Sequence, residues 1–175
     1  LAAAGHATIP RNSRRPSRAG YCRHGPELGS GRRLRRSVQR VTAFLDTNVA
    51  VYAHDHGSRE KRATAATLIA ARADDLVVSS QVLAEFYWVT TRRLDPPLPH
   101  VAAREAAAQL GALPTVSTDA TLVMAAIDLA ATADLALWDA MIVIAAGRAG
   151  CDEILTEDLT HGQIIEGIRI VNPFV

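Results

Sequence analysis

Apolar and polar positions divide the chain into short apolar runs and longer helical stripes. "VTAFLD" at 41–46 is an apolar run closed by an acid and predicts a first strand. "TNVAVYAHD" then predicts a short helix starting near Thr47 or Asn48, and "SREKRATAATLIAARAD" a second one with Ser58 as its N-cap. "DLVVSS" is the second strand, and Ser79 or Ser80 caps the helix "QVLAEFYWVTTRRL". "DPPLP" breaks the chain before an alanine-rich helix, "HVAAREAAAQLGA", and a weak third strand, "PTVST". In "DATLVMAAIDLAATA", Leu122, Ala125, Ala126, Leu129 and Ala133 fall on one helical face. "WDAMIVIAAGRAG" reads as a buried helix, followed by the strands "EILT" and "IRIV".

Strands alternate with helices, and the strands are apolar on both faces. That pattern predicts a three-layer α/β/α sandwich around a mainly parallel sheet of four to five short strands. In such sheets ligands bind beyond the carboxyl ends of the strands. Polar residues at those ends are therefore the first place to look for chemistry.

Charge changes the picture at the N-terminus. Residues 1–40 hold ten Arg and one acid, a net +9, while 41–175 carry a net −8. The first forty residues, rich in Arg, Gly, Ser and Pro, lack apolar periodicity and are expected to be a disordered basic extension outside the working domain. The competing reading is a basic arm that holds nucleic acid. Val41 stands where a compact domain would begin, so an upstream extension of the reading frame is expected, with 41–175 as the domain. Cys22 and Cys151 fit neither a metal spacing nor a disulfide framework, which makes a reducing cytoplasm the expected location. No uncharged stretch reaches the length of a membrane span, and no membrane partner is expected.

Four acids fall at one edge of the expected sheet: Asp46 at the end of the first strand, Glu85 in the helix after the second, Asp139 opening the apolar helix, and Asp158 after the fourth strand. Taken singly, Asp46 and Asp139 read equally as helix N-caps and Asp158 as a turn acid. Glu85 shares a stripe with Val82, Phe86 and Val89, where a glutamate is rare. Converging carboxylates repel unless a cation neutralises them, and oxygen ligands without His or Cys favour Mg²⁺ or Mn²⁺ over zinc. Such a site suits phosphoryl chemistry, in which the cation polarises a phosphate oxygen and acidifies a water. The histidines, including His54, His56 and His161, fit no zinc pattern and read as surface or substrate-side groups.

At these residues the chain resembles the PIN-domain ribonucleases, most closely the VapC-type toxins of bacterial toxin–antitoxin pairs. The matching pieces are "FLDTNVAVYAHD", "SSQVLAEFYWVTTRR", "ALWDAMIVIAA" and "EILTEDLTHGQIIEGIRIVNPF", in family order across 41–175. The resemblance implies a Mg²⁺-dependent endoribonuclease, a homodimer and a cognate antitoxin. It places the family's acids at Asp46, Glu85, Asp139 and Asp158, with Asp46, Asp139 and Asp158 as metal ligands and Asn48 and Thr156 as supporting polar groups. It also explains Asp139 as both a helix cap and a metal ligand. Residues 1–40 have no counterpart in the family pattern.

Three other functions compete with a toxin ribonuclease. A housekeeping PIN nuclease in RNA processing shares the same residues. A catalytically silent RNA-binding domain would have lost one of the acids, and none is lost. A phosphatase using Asp46 as nucleophile would carry a second Asp two residues on, where this chain has Asn48. Arg59, Lys61, Arg62, Arg92 and Arg93 are the clustered bases left to attract RNA, unless they simply form a solvated helix face.

Overall fold

The computed structural model describes residues 42–175. The expectation of a basic extension over 1–40 lies outside the described residues. The chain runs β1 (Ala43–Leu45), α1 (Thr47–Tyr52), α2 (Arg59–Arg72), a short 3₁₀ turn, β2 (Leu76–Ser79), α3 (Ser80–Arg92), α4 (His100–Leu110) and β3 (Thr115–Val116). It continues through α5 (Ala120–Ala133), α6 (Leu137–Ala149), β4 (Glu153–Leu155), β5 (Ile164–Ile165) and β6 (Ile168–Val171).

The sheet order is β3-β2-β1-β4-β6-β5, parallel except for β5. β1 is central, paired with β2 on one side and β4 on the other, and all three of its residues are fully buried. This explains its unbroken apolar run: a strand covered on both faces has no solvent side to alternate with. From β1 the chain builds outward through β2 to β3, then crosses back to β4. Right-handed crossovers therefore put α1–α4 on one face and α5–α6 on the other, giving the expected α/β/α sandwich. The reversal of direction between β1 and β4 is the topological switch point, where such folds open a crevice.

Sidedness in the helices follows from composition. α6 buries Ala140, Met141, Ile142, Val143, Ala145 and Ala146, and its small residues let it lie close on the sheet. It ends at Gly150, whose φ of 69° suits a left-handed C-cap and lets the Cys151 amide bond back to the Ala146 carbonyl. α5 buries Leu122, Ala126 and Leu129 of its expected stripe, while Ala125 is only half-buried and Ala133 is exposed. Ser79 caps α3, its hydroxyl accepting from the Val82 amide. Ser58 holds the N-cap position of α2 but makes no side-chain cap bond.

Two features differ from the sequence reading. The structure adds β5, a two-residue strand joined to β6 by a tight turn with φ of 49° at Glu166 and 81° at Gly167. Such a turn usually advertises itself by Asn-Gly or Asp-Gly, and a glutamate conceals it. Asp139 is not a helix cap. The N-cap of α6 is Ala136, and Asp139 lies in the first turn without a hydrogen bond from its side chain to any helix amide. Its carboxylate still benefits from the positive end of the helix, but it is free to face the crevice. No single helix among the described residues is long and apolar enough to cross a membrane.

Candidate active site

The crevice at the switch point is a cavity of about 330 Å³, and Asp46, Glu85, Asp139 and Asp158 all line it. Four separate elements deliver them. Asp46 follows β1 directly and is the N-cap of α1, where its Oδ1 accepts from the Thr47 amide at 2.6 Å. Glu85 is one turn into α3, Asp139 is in the first turn of α6, and Asp158 follows β4 after Thr156 and Glu157.

Neutral groups bridge the acids. Asn48 Nδ2 reaches Asp46 Oδ2 at 3.0 Å, Thr156 Oγ1 at 3.0 Å and Asp158 Oδ2 at 2.9 Å. The Thr156 hydroxyl donates to Asp46 Oδ2 at 2.7 Å and accepts from the Asp158 amide at 3.1 Å. Glu85 is fixed at both oxygens: the Thr47 hydroxyl donates to Oε2 at 2.9 Å, and Gln81 Nε2 to Oε1 at 3.2 Å. Asp46, Thr47, Gln81 and Thr156 are buried, and Asp158 is exposed at the rim.

The electrostatics show the cost of gathering these groups. Burial, above all, pushes the Asp46 carboxyl up to about 6, against the lowering effect of Thr156 and the Thr47 amide, and Asp158 and Asp139 push it further in the same direction. Asp139 is also raised, first by burial and then by Asp158 and Glu85. The carboxylates thus lie within each other's fields.

Oxygen-bearing side chains dominate the lining of the cleft. Its donors near the acids are all oxygens and amides, with no His or Cys, which is the chemistry of a hard divalent ion. Among the described residues, the Oδ1 of Asn48 is buried without a hydrogen-bond partner. Among the described residues, no three of these side chains close around a single point as a tight metal cage does. A Mg²⁺ ion does not require such a cage, since it keeps several waters and takes one or two direct carboxylates.

The sequence marks other parts of the site less clearly. Thr47, Gln81, Tyr52 and Trp138 also line the cleft. Thr47 sits inside "DTN" and Trp138 beside Asp139, so both had a local signal. Glu157 accepts from the Tyr52 hydroxyl and pairs with Lys61 at 2.6 Å, tying the segment before Asp158 to α1 and α2. Lys61 also donates to the Tyr52 hydroxyl at 3.1 Å and lies 4.4 Å from the centre of that ring. His54 does not line the acid cleft. It is half-buried, edge-on to Phe86 at 5.4 Å, and lines a separate alanine-rich cavity. His161 accepts from the Asn172 amide at 3.1 Å. On α3, Phe86 is fully buried, whereas Tyr87 and Trp88 are exposed.

The PIN domain profile matches residues 43–164. This chain belongs to the PIN-domain family. Solved structures agree at the level of the fold. One is the Mycobacterium tuberculosis toxin VapC20, described as cleaving the sarcin–ricin loop: it is 23% identical, with 65% of this chain and 87% of that chain covered at a TM-score of 0.55. A toxin–antitoxin complex from Klebsiella pneumoniae is 17% identical, covering 75% and 98%, at a TM-score of 0.57. DNA-bound VapBC from Salmonella typhimurium is 21% identical, covering 75% and 97%, at 0.54. A comparison with curated protein sequences found no match.

Proposed function

We propose that residues 41–175 form a Mg²⁺-dependent endoribonuclease, the toxin of a toxin–antitoxin pair, acting in the cytoplasm as a homodimer. The observation that carries this reading is the convergence of Asp46, Glu85, Asp139 and Asp158 on one cleft at the switch point of a PIN fold. The likeness of that fold to VapC toxins supports the toxin role.

Asp46, Asp139 and Asp158 would hold the cation, directly or through water. Mg²⁺, or Mn²⁺ in its place, would supply charge to polarise a phosphate oxygen and acidify a water. Glu85 orients the attacking water or takes its proton, and the Thr47 hydroxyl and Gln81 amide keep its two oxygens aimed. Asn48 and Thr156 fix the rotamers of Asp46 and Asp158. Hydrolysis by water needs no 2′-hydroxyl nucleophile, so the products carry a 5′-phosphate and a 3′-hydroxyl.

A cognate antitoxin would silence the site by laying a segment over the helices at 47–56, 59–73 and 81–93. A basic side chain entering the acid cleft would satisfy the same carboxylates. The reading is tested by incubating the chain with bulk cellular RNA, with and without Mg²⁺. Discrete fragments only with the metal are expected; intact RNA in both arms overturns it.

A further inference from the structure

The chain has two tryptophans, and both stand at one apolar groove beside the acid cleft. Trp88 on α3 is 51% exposed and Trp138 on α6 is 60% exposed. The groove measures about 710 Å³ and shares Gln81, Glu85, Val89 and Trp138 with the cleft, so the two are continuous. Ala84 and Met141 complete its apolar lining. Thr118 also lines it, and its hydroxyl oxygen is buried without a hydrogen-bond partner among the described residues. Large rings left half in water next to a polar site mark a contact surface better than a packing defect.

The order of groups along α3 identifies the occupant. Gln81, Glu85, Trp88 and Arg92 are spaced i, i+4, i+7 and i+11, which puts them on one stripe. With a rise of 1.5 Å per residue, Glu85 and Arg92 are about 10 Å apart along the helix. Arg92 and Arg93 are exposed and make no ion pair among the described residues. The Arg93 guanidinium lies 5.0 Å from the Trp88 ring centre. The surface therefore presents, in sequence, the carboxylates of the cleft, aromatic rings, and unpaired cations. A single-stranded RNA alternates flat bases with phosphates: bases stack on aromatic rings, and phosphates pair with guanidinium groups.

We propose that Trp88 and Trp138 form a stacking subsite for an unpaired nucleobase of single-stranded RNA next to the cleaved phosphodiester, with Arg92 and Arg93 holding the neighbouring phosphate. This rests on the ribonuclease reading of the acid cleft. It makes the two tryptophans positioning residues that act through the substrate base.

The test uses the full chain in EDTA, titrated with a short single-stranded oligouridylate and, separately, with an abasic oligomer of the same length and charge. Because both tryptophans of the chain lie at the groove, intrinsic tryptophan fluorescence reports on it alone. Oligouridylate is expected to quench it and the abasic oligomer to leave it unchanged. Trp88→Leu and Trp138→Leu are each expected to weaken oligouridylate binding about tenfold, in line with stacking on a single base. Trp→Phe at either position should restore most of the affinity. Should a Leu variant fail to fold, Arg92→Gln supplies the second measurement, with a shallower salt dependence of binding expected.

Equal binding of the abasic oligomer overturns the subsite, as does wild-type affinity in the Leu variants. Leu variants that keep their RNA affinity but lose a co-expressed antitoxin assign the groove to a protein and also overturn it. Cleavage of bulk RNA in Mg²⁺ is followed in parallel. Cleavage without base-dependent quenching removes the subsite and leaves the ribonuclease reading standing. Base-dependent quenching without cleavage shows that the groove takes a base but overturns the subsite as stated, because no phosphodiester is cut beside it.

Discussion

The Thr156 hydroxyl donates to Asp46 Oδ2 at 2.7 Å, joining two residues 110 positions apart in the chain. One follows β4 and the other follows β1, and the bond closes the floor of the crevice between those strands. Both groups are buried, so neither has water as a substitute partner.

Thr156→Val keeps the shape and removes the hydroxyl. The Asp46 carboxylate, the Asn48 amide and the Asp158 amide each lose a partner. A loss of about 1–3 kcal/mol is expected, the usual cost of leaving a buried polar group unsatisfied. Urea denaturation measures it, and a variant as stable as the wild type would contradict the bridging role assigned to Thr156.

Asp139→Asn should have opposite effects with and without metal. Burial, Asp158 and Glu85 raise the Asp139 carboxyl, so the folded state holds that proton more tightly than the unfolded one. The stability this group confers is present below the ordinary carboxylate range and lost as pH rises through its folded value. At neutral pH in EDTA, the variant is expected to melt higher than the wild type. Millimolar Mg²⁺ should raise the wild-type melting temperature by mass action and raise that of the variant less. Equal metal responses in the two proteins would remove Asp139 from the proposed metal site.

The fold was legible wherever burial leaves a strong pattern. β1, covered on both faces, and α3, capped by Ser79, both stand out in the sequence. β5 did not, because two residues carry no periodicity and Glu166 masks its turn. The acids were legible because each ends or opens an element. What holds them was less so. The Asn48 bridge depends on residues 108 and 110 positions away, and the Tyr52–Glu157 bond spans 105. No local pattern marks such partners. Asp139 was misread as a cap because Ala136, the true cap residue, has no side-chain signature.

Away from the site, Asp119 caps α5 and should contribute to the acid limb of stability. The Leu122 amide, the Thr121 hydroxyl and the Arg148 guanidinium together hold its carboxyl down at about 2. A lowered carboxyl stabilises the fold above its unfolded value of about 3.9 and loses that contribution as pH falls through the folded value. The wild type should therefore lose stability between about pH 4 and 2. Asp119→Asn keeps a good cap and should flatten that limb, while Asp119→Ala lowers the melting temperature at neutral pH as well. Melting curves across this range decide it: an unchanged acid limb in Asp119→Asn would contradict the assignment.

Lys61→Met breaks the tie to Glu157 and Tyr52. The ammonium is partly exposed, so global stability should fall by no more than about 1 kcal/mol. Hydrogen exchange at 157–160 should rise, since this segment loses its anchor to α1 and α2. Unchanged exchange there would show that the loop carrying Asp158 is held by other contacts.

The central claim is that the four-acid cleft cuts RNA with water under a divalent cation. The most direct measurement is the end chemistry of fragments from a defined RNA, in Mg²⁺ and in excess EDTA, for the wild type, Asp46→Asn and Glu85→Gln. Wild-type fragments are expected only with Mg²⁺, carrying 5′-phosphate and 3′-hydroxyl ends. Asp46→Asn should be inactive while still folded, and Glu85→Gln should slow cleavage more than it weakens the Mg²⁺-induced rise in melting temperature. Cleavage in EDTA, or 2′,3′-cyclic phosphate ends, would contradict the account.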